Sequence, residues 1–507
     1  MLLLSASVLL LCWITARAFR DPLKHIAAAP GSKIFPIWVL STLSNRQWHL
    51  SLNRLHRQKG TVVRIGPKEV SFSTSTAYHA IYDQPEERFP STGSYGAQAI
   101  FLFLGIANIF TVNNEAAHRK LRKNVQSALA RVRPQEDAIN MRFLEELETK
   151  VEAACDGGET IDLSTLLSEM TWEIVGGRYF VKPIGFNAKR KIDYYKVFGA
   201  WLGPALEVLL MGMNTPVLNV FIILVIRSFA KLTFLLNADG LNPDEAIRRF
   251  VITQDKSEDT VANYVTGDVP GNRSCQDLTK NELLINMVTL VFANYLTLSE
   301  FLPSCFGLML REGGQQEVLQ KELDSAFKDQ GDINENSLKQ LPFLNACIKE
   351  ALRMAPTINA RFLSRTSPGT EIDGVYIPSG TKISVDTYSM HRNPTYWKNP
   401  DNFHPQRWLD LDPTNLAPEP NANTATTKSI ETTEAAGTPA AWRPFSSGRH
   451  VCPGADYANR VSQLVIARLA HKYSFRLADP AFQFEERAMS GMLWSYPKVV
   501  VYAERRR

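Results

Sequence analysis

The sequence predicts a mainly α protein with a minor β portion, built as a single large domain behind an apolar N-terminal segment. Three observations lead there. Between residues 114 and 355 apolar residues recur at spacings of three and four, the period of an amphipathic helix, as in "ELLINMVTLVFANYLTLSEFLPSCFGLML" and "LPFLNACIKEALRMAP". Strand-like text is sparse and falls near residues 61–73, 380–388 and in the late "KVVVYA". No internal repeat and no second composition regime divides the 507 residues. A content of 45% hydrophobic, 10% aromatic and 21% charged residues is that of a globular chain, not a disordered or fibrous one.

Taken in order, "MLLLSASVLLLCWITARAF" has no charge before Arg17 and is followed by Arg20 and Lys24. A membrane-crossing helix needs about 17–25 apolar residues. "ARA" at 16–18 imitates a signal-peptidase site, so a cleaved signal peptide competes with an anchor over residues 1–19. Charges that follow the apolar run favour the anchor and keep residues 20–507 in the cytosol, at the endoplasmic reticulum membrane. The cysteines agree with that side. Cys12, Cys155, Cys275, Cys305, Cys347 and Cys452 are scattered, with no Cys-x-x-Cys pair and no zinc-type cluster. A secreted chain would instead make Asn272-Arg273-Ser274 a glycosylation candidate.

The apolar run "VLNVFIILVI" at 217–226 is too short to cross a membrane, and reads either as a buried helix or as an element dipping into the surface. Residues 411–440, rich in Thr, Ala, Asn and Pro, read as an exposed low-complexity loop. The formal charge of +5 is too slight to argue for a nucleic-acid partner.

The chemistry concentrates in "PFSSGRHVCPGADYA" at 444–458. A single buried cysteine is usually an inert small hydrophobe. Here Gly448 and Gly454 allow sharp turns, and helical periodicity resumes in "YANRVSQLVIARLAHKY". Cys452 therefore sits just before a helix N-terminus, whose free N–H groups and dipole favour a thiolate. A catalytic nucleophile would need a base, for which His450 is available; a metal ligand needs only the thiolate.

"FSSGRHVCPG" resembles the haem-binding loop of the cytochrome P450 family, with Phe445, Gly448, His450, Cys452 and Gly454 filling its pattern in order. The resemblance implies a mainly α cytochrome P450 fold carrying thiolate-ligated haem b. It makes Cys452 the axial iron ligand, which favours O–O cleavage, and puts His450 where the family more often has an arginine. Four further motifs follow the family's order. "KEALR" supplies Glu350 and Arg353, and "FHPQRW" supplies Arg407, a triad that buttresses the haem loop in the family. "HRKLR" places His118 and Arg122 on one helical face, and "LSRTSPG" supplies Arg365; by resemblance these face the haem propionates. The finer likeness is to fungal secondary-metabolite members of the isotrichodermin C-15 hydroxylase-like type.

The pattern breaks on the long helix over the haem. The family's Ala-Gly-x-(Asp/Glu)-Thr aligns with "ANYLT", residues 293–297, so Leu296 replaces the acid of the pair that supplies protons during oxygen activation. Three readings follow. With Thr297, Asn294, water or a substrate hydroxyl as relay, the chain is an ordinary monooxygenase, which we prefer; alternatively the haem catalyses an isomerisation or dehydration without external oxygen. The third is a haem-bearing membrane protein that binds lipophiles without turnover.

By the same resemblance, residues 99–110, Val288–Thr297, Pro356–Asn359 and Ser490–Met492 line a cavity suited to a terpenoid or polyketide. No Gly-rich dinucleotide fingerprint follows a strand. Electrons then come from a membrane-bound NADPH–cytochrome P450 reductase docking near basic residues such as Arg119, Lys120 and Arg449.

Overall fold

A computed structural model describes residues 21–34, 37–84, 88–90, 108–110, 112, 114–180, 261, 279–358, 363–409, 440–490 and 494–506. The apolar segment at 1–19, the run at 217–226, the sequon at 272–274, most of 99–110 and all but the last residue of the 411–440 loop lie outside the described residues.

Two short helices, α1 (Ile37–Ser44) and α2 (Trp48–Lys59), lead into the hairpin β1 (Val62–Gly66) and β2 (Glu69–Phe72). Helix α3 (Ser75–Tyr82) follows, capped by the Thr74 hydroxyl on the Ala77 N–H. Next come α4 (Glu115–Gly157), β3 (Thr160–Asp162), α5 (Leu163–Tyr179), α6 (Lys280–Arg311), α7 (Gln315–Ala326), α8 (Glu335–Leu338) and α9 (Pro342–Met354). The C-terminal third holds β4 (Arg365–Thr366), β5 (Thr370–Ile372), β6 (Val375–Ile377), β7 (Lys382–Val385) and α10 (Thr387–Met390). It closes with α11 (Ala455–Lys472), β8 (Tyr473–Leu477), β9 (Met489–Ser490), β10 (Trp494–Ser495) and β11 (Val500–Arg505). The chain is thus mostly helical with a minor β portion.

Local chemistry fixes the helices that matter for the site. At α6, Thr279 and Glu282 form a reciprocal capping box. The N-terminus of α9 has no cap of its own; the Glu322 carboxylate of α7 accepts from Phe343 N–H at 2.6 Å and Leu344 N–H at 2.8 Å. That pairing satisfies orphan donors and sets a negative charge on the positive end of the dipole.

Pro134 lies within α4, where the missing N–H and the ring would ordinarily kink or break a helix. Here Val132 and Glu136 on either side are buried, and Glu136 is clamped by Arg178 of α5 at 2.7 Å and Arg460 of α11 at 2.5 Å. Tertiary packing overrides the local break.

The principal core gathers the second half of α4 with α5, α6, α7, α9, α11, β8 and β11. A second cluster lies under the four-stranded sheet β1-β2-β7-β4, in which β2 and β7 run parallel. The expected strand texts resolve as the hairpin β1–β2, as β7 passing into α10, and as β11 between β3 and β8. Among the described residues no helix is long and apolar enough to cross a membrane.

Candidate functional site

The loop leading to Cys452 is held at both ends. Its first turn is set by Ser446 N–H donating to Arg443 C=O at 3.3 Å, and its close by Cys452 N–H donating to Phe445 C=O at 2.9 Å. Ser446 and Gly448 both have φ of 62°. A Cβ at Gly448 would sit 2.8 Å from the Tyr82 carbonyl oxygen, so backbone conformation and close approach both demand glycine there. Helix α3 grips the loop from the other side, with Tyr78 Oη on Ser446 Oγ at 3.2 Å and Ser447 Oγ on the Asp83 carboxylate beyond the helix. Phe445 packs against the principal core. Helix α11 starts at Ala455, so its N-terminal donors lie next to Cys452.

Cys452 is solvent-accessible, yet burial pushes its thiol up, while the Gly454 N–H and the Arg122 charge draw it back. An accessible group that is nonetheless desolvated lines a recess. Arg122, on α4, donates from Nη1 to Val451 C=O at 2.8 Å, and His118 one turn earlier lies with its ring centroid 4.4 Å from that of His450. Buried Arg365 donates to Leu363 and Ser364 carbonyls at 3.2 Å and stands 5.3 Å from the Tyr82 ring, on the residue whose carbonyl meets Gly448. A thiol framed by guanidinium and imidazole groups is a donor set suited to a metal-bearing ring with anionic carboxylates. The residues present fit haem.

Glu350, Arg353 and Arg407 meet as a buried node. Arg353 donates to Glu350 from Nε at 2.9 Å and Nη2 at 2.8 Å, and to the carbonyls of His391 and Pro400 at 2.7 Å each. Arg407 Nε, His404 N–H and Trp408 Nε1 add bonds to Glu350 at 3.0, 2.9 and 3.0 Å. Burial alone would raise the Glu350 carboxyl; Arg353, Arg407 and the His404 N–H outweigh it and hold the group below the ordinary carboxylate range.

On α6 the contacts are looser. Thr297 Oγ1 donates to Ala293 C=O at 2.7 Å, within its own helix, and Asn294 Nδ2 reaches Tyr179 Oη only at 3.5 Å. Tyr295 turns away to Ser168 at 2.9 Å. Half-buried Leu296 packs against the apolar cluster that holds Leu121, Val125, Val175 and Tyr179.

The other expected residues described have partners of their own. Ser490 is buried and bonds His49 Nδ1 at 2.8 Å, and Pro356 C=O accepts from Tyr496 Oη at 2.8 Å; Asn359, Gly491 and Met492 lie outside the described residues. Arg119 and Arg449, both exposed, each pair with Glu115, Arg119 at 2.6 Å. His391, unnoticed in the sequence, joins the Glu350 node to the Cys452 loop. The "MHRNP" text around it carried no signal of that kind.

The cytochrome P450 family model matches residues 30–498 of this chain. Among curated relatives, cytochrome P450 monooxygenase FUP2 of Fusarium proliferatum is 31% identical, covering 96% of this chain and 92% of its own length. Cytochrome P450 monooxygenase tpcB of Cochliobolus heterostrophus is 30% identical over 96% of this chain and 93% of its own. Sesterfisheric acid synthase of Neosartorya fischeri is 27% identical with the same two coverages.

Proposed function

The chain belongs to the cytochrome P450 family and is a haem b-dependent monooxygenase, and from that premise we propose that it oxidises a lipophilic secondary metabolite, with electrons from an NADPH–cytochrome P450 reductase. The carrying observation is the recess at Cys452, where an accessible thiol is desolvated beside Arg122. In this reading Cys452 Sγ binds the iron as a thiolate. The Gly454 N–H, the Arg122 charge and the start of α11 stabilise that anion. His118, Arg122, Arg365 and His450 hold the haem carboxylates, while Phe445, Gly448 and Gly454 shape the loop. When bound, the haem supplies the oxygen-activating chemistry.

In this reading the Thr297 hydroxyl, which donates to the Ala293 carbonyl of its own helix, exchanges that bond to hold or pass a proton, with Asn294 beside it; Leu296 has no proton to give. That leucine is the one observation favouring turnover without oxygen insertion. A terpenoid or polyketide substrate accords with the apolar text expected around the site.

Residues 1–19 then anchor a catalytic domain spanning 20–507 to the endoplasmic reticulum membrane, facing the cytosol. The charge order around Arg17, Arg20 and Lys24 supports this. Turnover of a candidate lipophile with reductase, NADPH and labelled dioxygen tests the function. Label is expected in the product. Conversion that needs neither oxygen nor NADPH would overturn the monooxygenase reading for that substrate.

A further inference from the structure

His391 lies just beyond α10 and is fully buried. Its two ring nitrogens face two different parts of the protein. Nε2 accepts the Arg443 N–H at 3.0 Å, and Nδ1 lies 3.1 Å from the Arg353 carbonyl, an acceptor only. These partners fix the tautomer: the proton must be on Nδ1, and the ring must be neutral. The His391 carbonyl in turn accepts from Arg353 Nη1 at 2.7 Å, so the residue is tied to Arg353 through backbone and side chain alike. Burial and the charges of Arg353, Arg392 and Arg443 hold its pKa down to about 3, which keeps the ring neutral across the working range.

Arg443 is where the Cys452 loop begins. Its carbonyl accepts from Ser446 N–H, the first turn of the loop, and its Nη2 meets His79 Nε2 at 3.2 Å, with His79 bonded in turn to Asp83. Asp83 accepts from Ser447 in the same loop. The loop root is therefore pinned between α3 on one side and the Glu350–Arg353 node on the other. The imidazole of His391 bridges the second of those gaps at the Arg443 backbone, beside Trp442, whose Nε1 donates to the Lys349 carbonyl of α9 at 3.2 Å.

We propose that His391 is a positioning residue for Cys452, transmitting the fixed geometry of the Glu350–Arg353 node to the root of the cysteine loop through one neutral imidazole. The proposal rests on the reading of Cys452 as the haem thiolate. Without the Nε2 acceptor, the buried Arg443 N–H loses this bond and the loop root loses its direct tie to Arg353. Cys452 then loses its alignment with the helix N-terminus and Arg122, and the protonated thiol gains.

Two isosteric halves of the imidazole separate the roles. His391→Gln carries an acceptor near the position of Nε2 and retains the bond to the loop; His391→Asn carries a donor near Nδ1 and retains only the bond to Arg353. In the full-length holoprotein, at matched haem content, the reduced carbon monoxide spectrum reports the thiolate fraction, and transfer to apomyoglobin reports haem loss.

The expected result is a dominant thiolate band in His391→Gln. His391→Asn should lose most of that band and release haem about tenfold faster, the consequence of one unsatisfied buried donor. Equal thiolate fractions in the two variants, or a defect confined to His391→Gln, would overturn the proposal. Should neither variant accumulate, amide hydrogen exchange in the parent protein decides: protection at Arg443 N–H matching that of α9 supports the bridge, and fast exchange refutes it. Cys452→Ser separates the premise, because retention of the thiolate band in that variant would sink the haem-ligand reading whatever His391 does.

Discussion

Glu350 on α9 and Thr297 on α6 sit on helices that pack against each other, yet their surroundings are built in opposite ways. Glu350 has no exposed surface and is held by Arg353, Arg407, His404 and Trp408, so removing any one partner leaves the carboxylate still bonded. Thr297 is half-buried and bonds the carbonyl of its own helix; its neighbour Asn294 has one long contact. The side that grips the cysteine loop is over-determined, and the Thr297 side, which we propose meets substrate and oxygen, is left adaptable. Such a division lets the second surface vary in sequence without unfolding the first.

The contrast is broken most severely by Glu350→Ala, which leaves Arg353 buried without its carboxylate. A loss of about 3–5 kcal/mol in urea unfolding is expected, with no pigment retained. An effect below that of Thr297→Val would refute the asymmetry.

Acid comes next, acting on buried histidines of which His391 belongs to the gripping side. The pKa of buried His391 is lowered to about 3, and those of His49 and His56 to about 4, chiefly by burial. Below about pH 6.5 the unfolded chain binds these protons and the folded one does not. Their contribution is therefore complete above that value and lost as pH falls toward 4 and then 3, at up to about 1.4 kcal/mol per pH unit for each group. Melting temperature against pH should flatten in His391→Gln over this window.

Leu296→Asp, an apparent repair of the missing acid, places a carboxylate against the cluster of Val175 and Tyr179. It should cost about 1–3 kcal/mol by thermal melting. Product formed per NADPH should not rise, because the half-buried position packs against an apolar cluster rather than a polar relay. Thr297→Val is the gentlest change to the fold, within about 1 kcal/mol, but it should lower product per NADPH. An unchanged ratio would remove Thr297 from the proton path.

Much of the gripping side was legible because its motifs are contiguous: the Cys452 loop, the Glu350–Arg353 pair three residues apart, and Arg407 two residues after Pro405. Their convergence was carried by the family resemblance. His391 was illegible for a physical reason. Its partners are 38 and 52 residues away, and an isolated histidine in a polar stretch announces no contact at that range. Helical periodicity identified α6 and α9, whereas β4, β9 and β10, two residues each, are too short to show alternation. Pro134 would have divided α4 had the Glu136 clamp not overridden it.

Gly448 against the Tyr82 carbonyl, and Ser447 on Asp83, join positions 364 residues apart for the latter pair. The nest around Cys452 is thus closed by early and late stretches of the polypeptide together. During synthesis, no partial product that stops short of residue 450 possesses both walls of it. Pigment capture must therefore wait until residues 447–452 have been made, and a ribosome-bound intermediate has to keep its early helices soluble in the meantime.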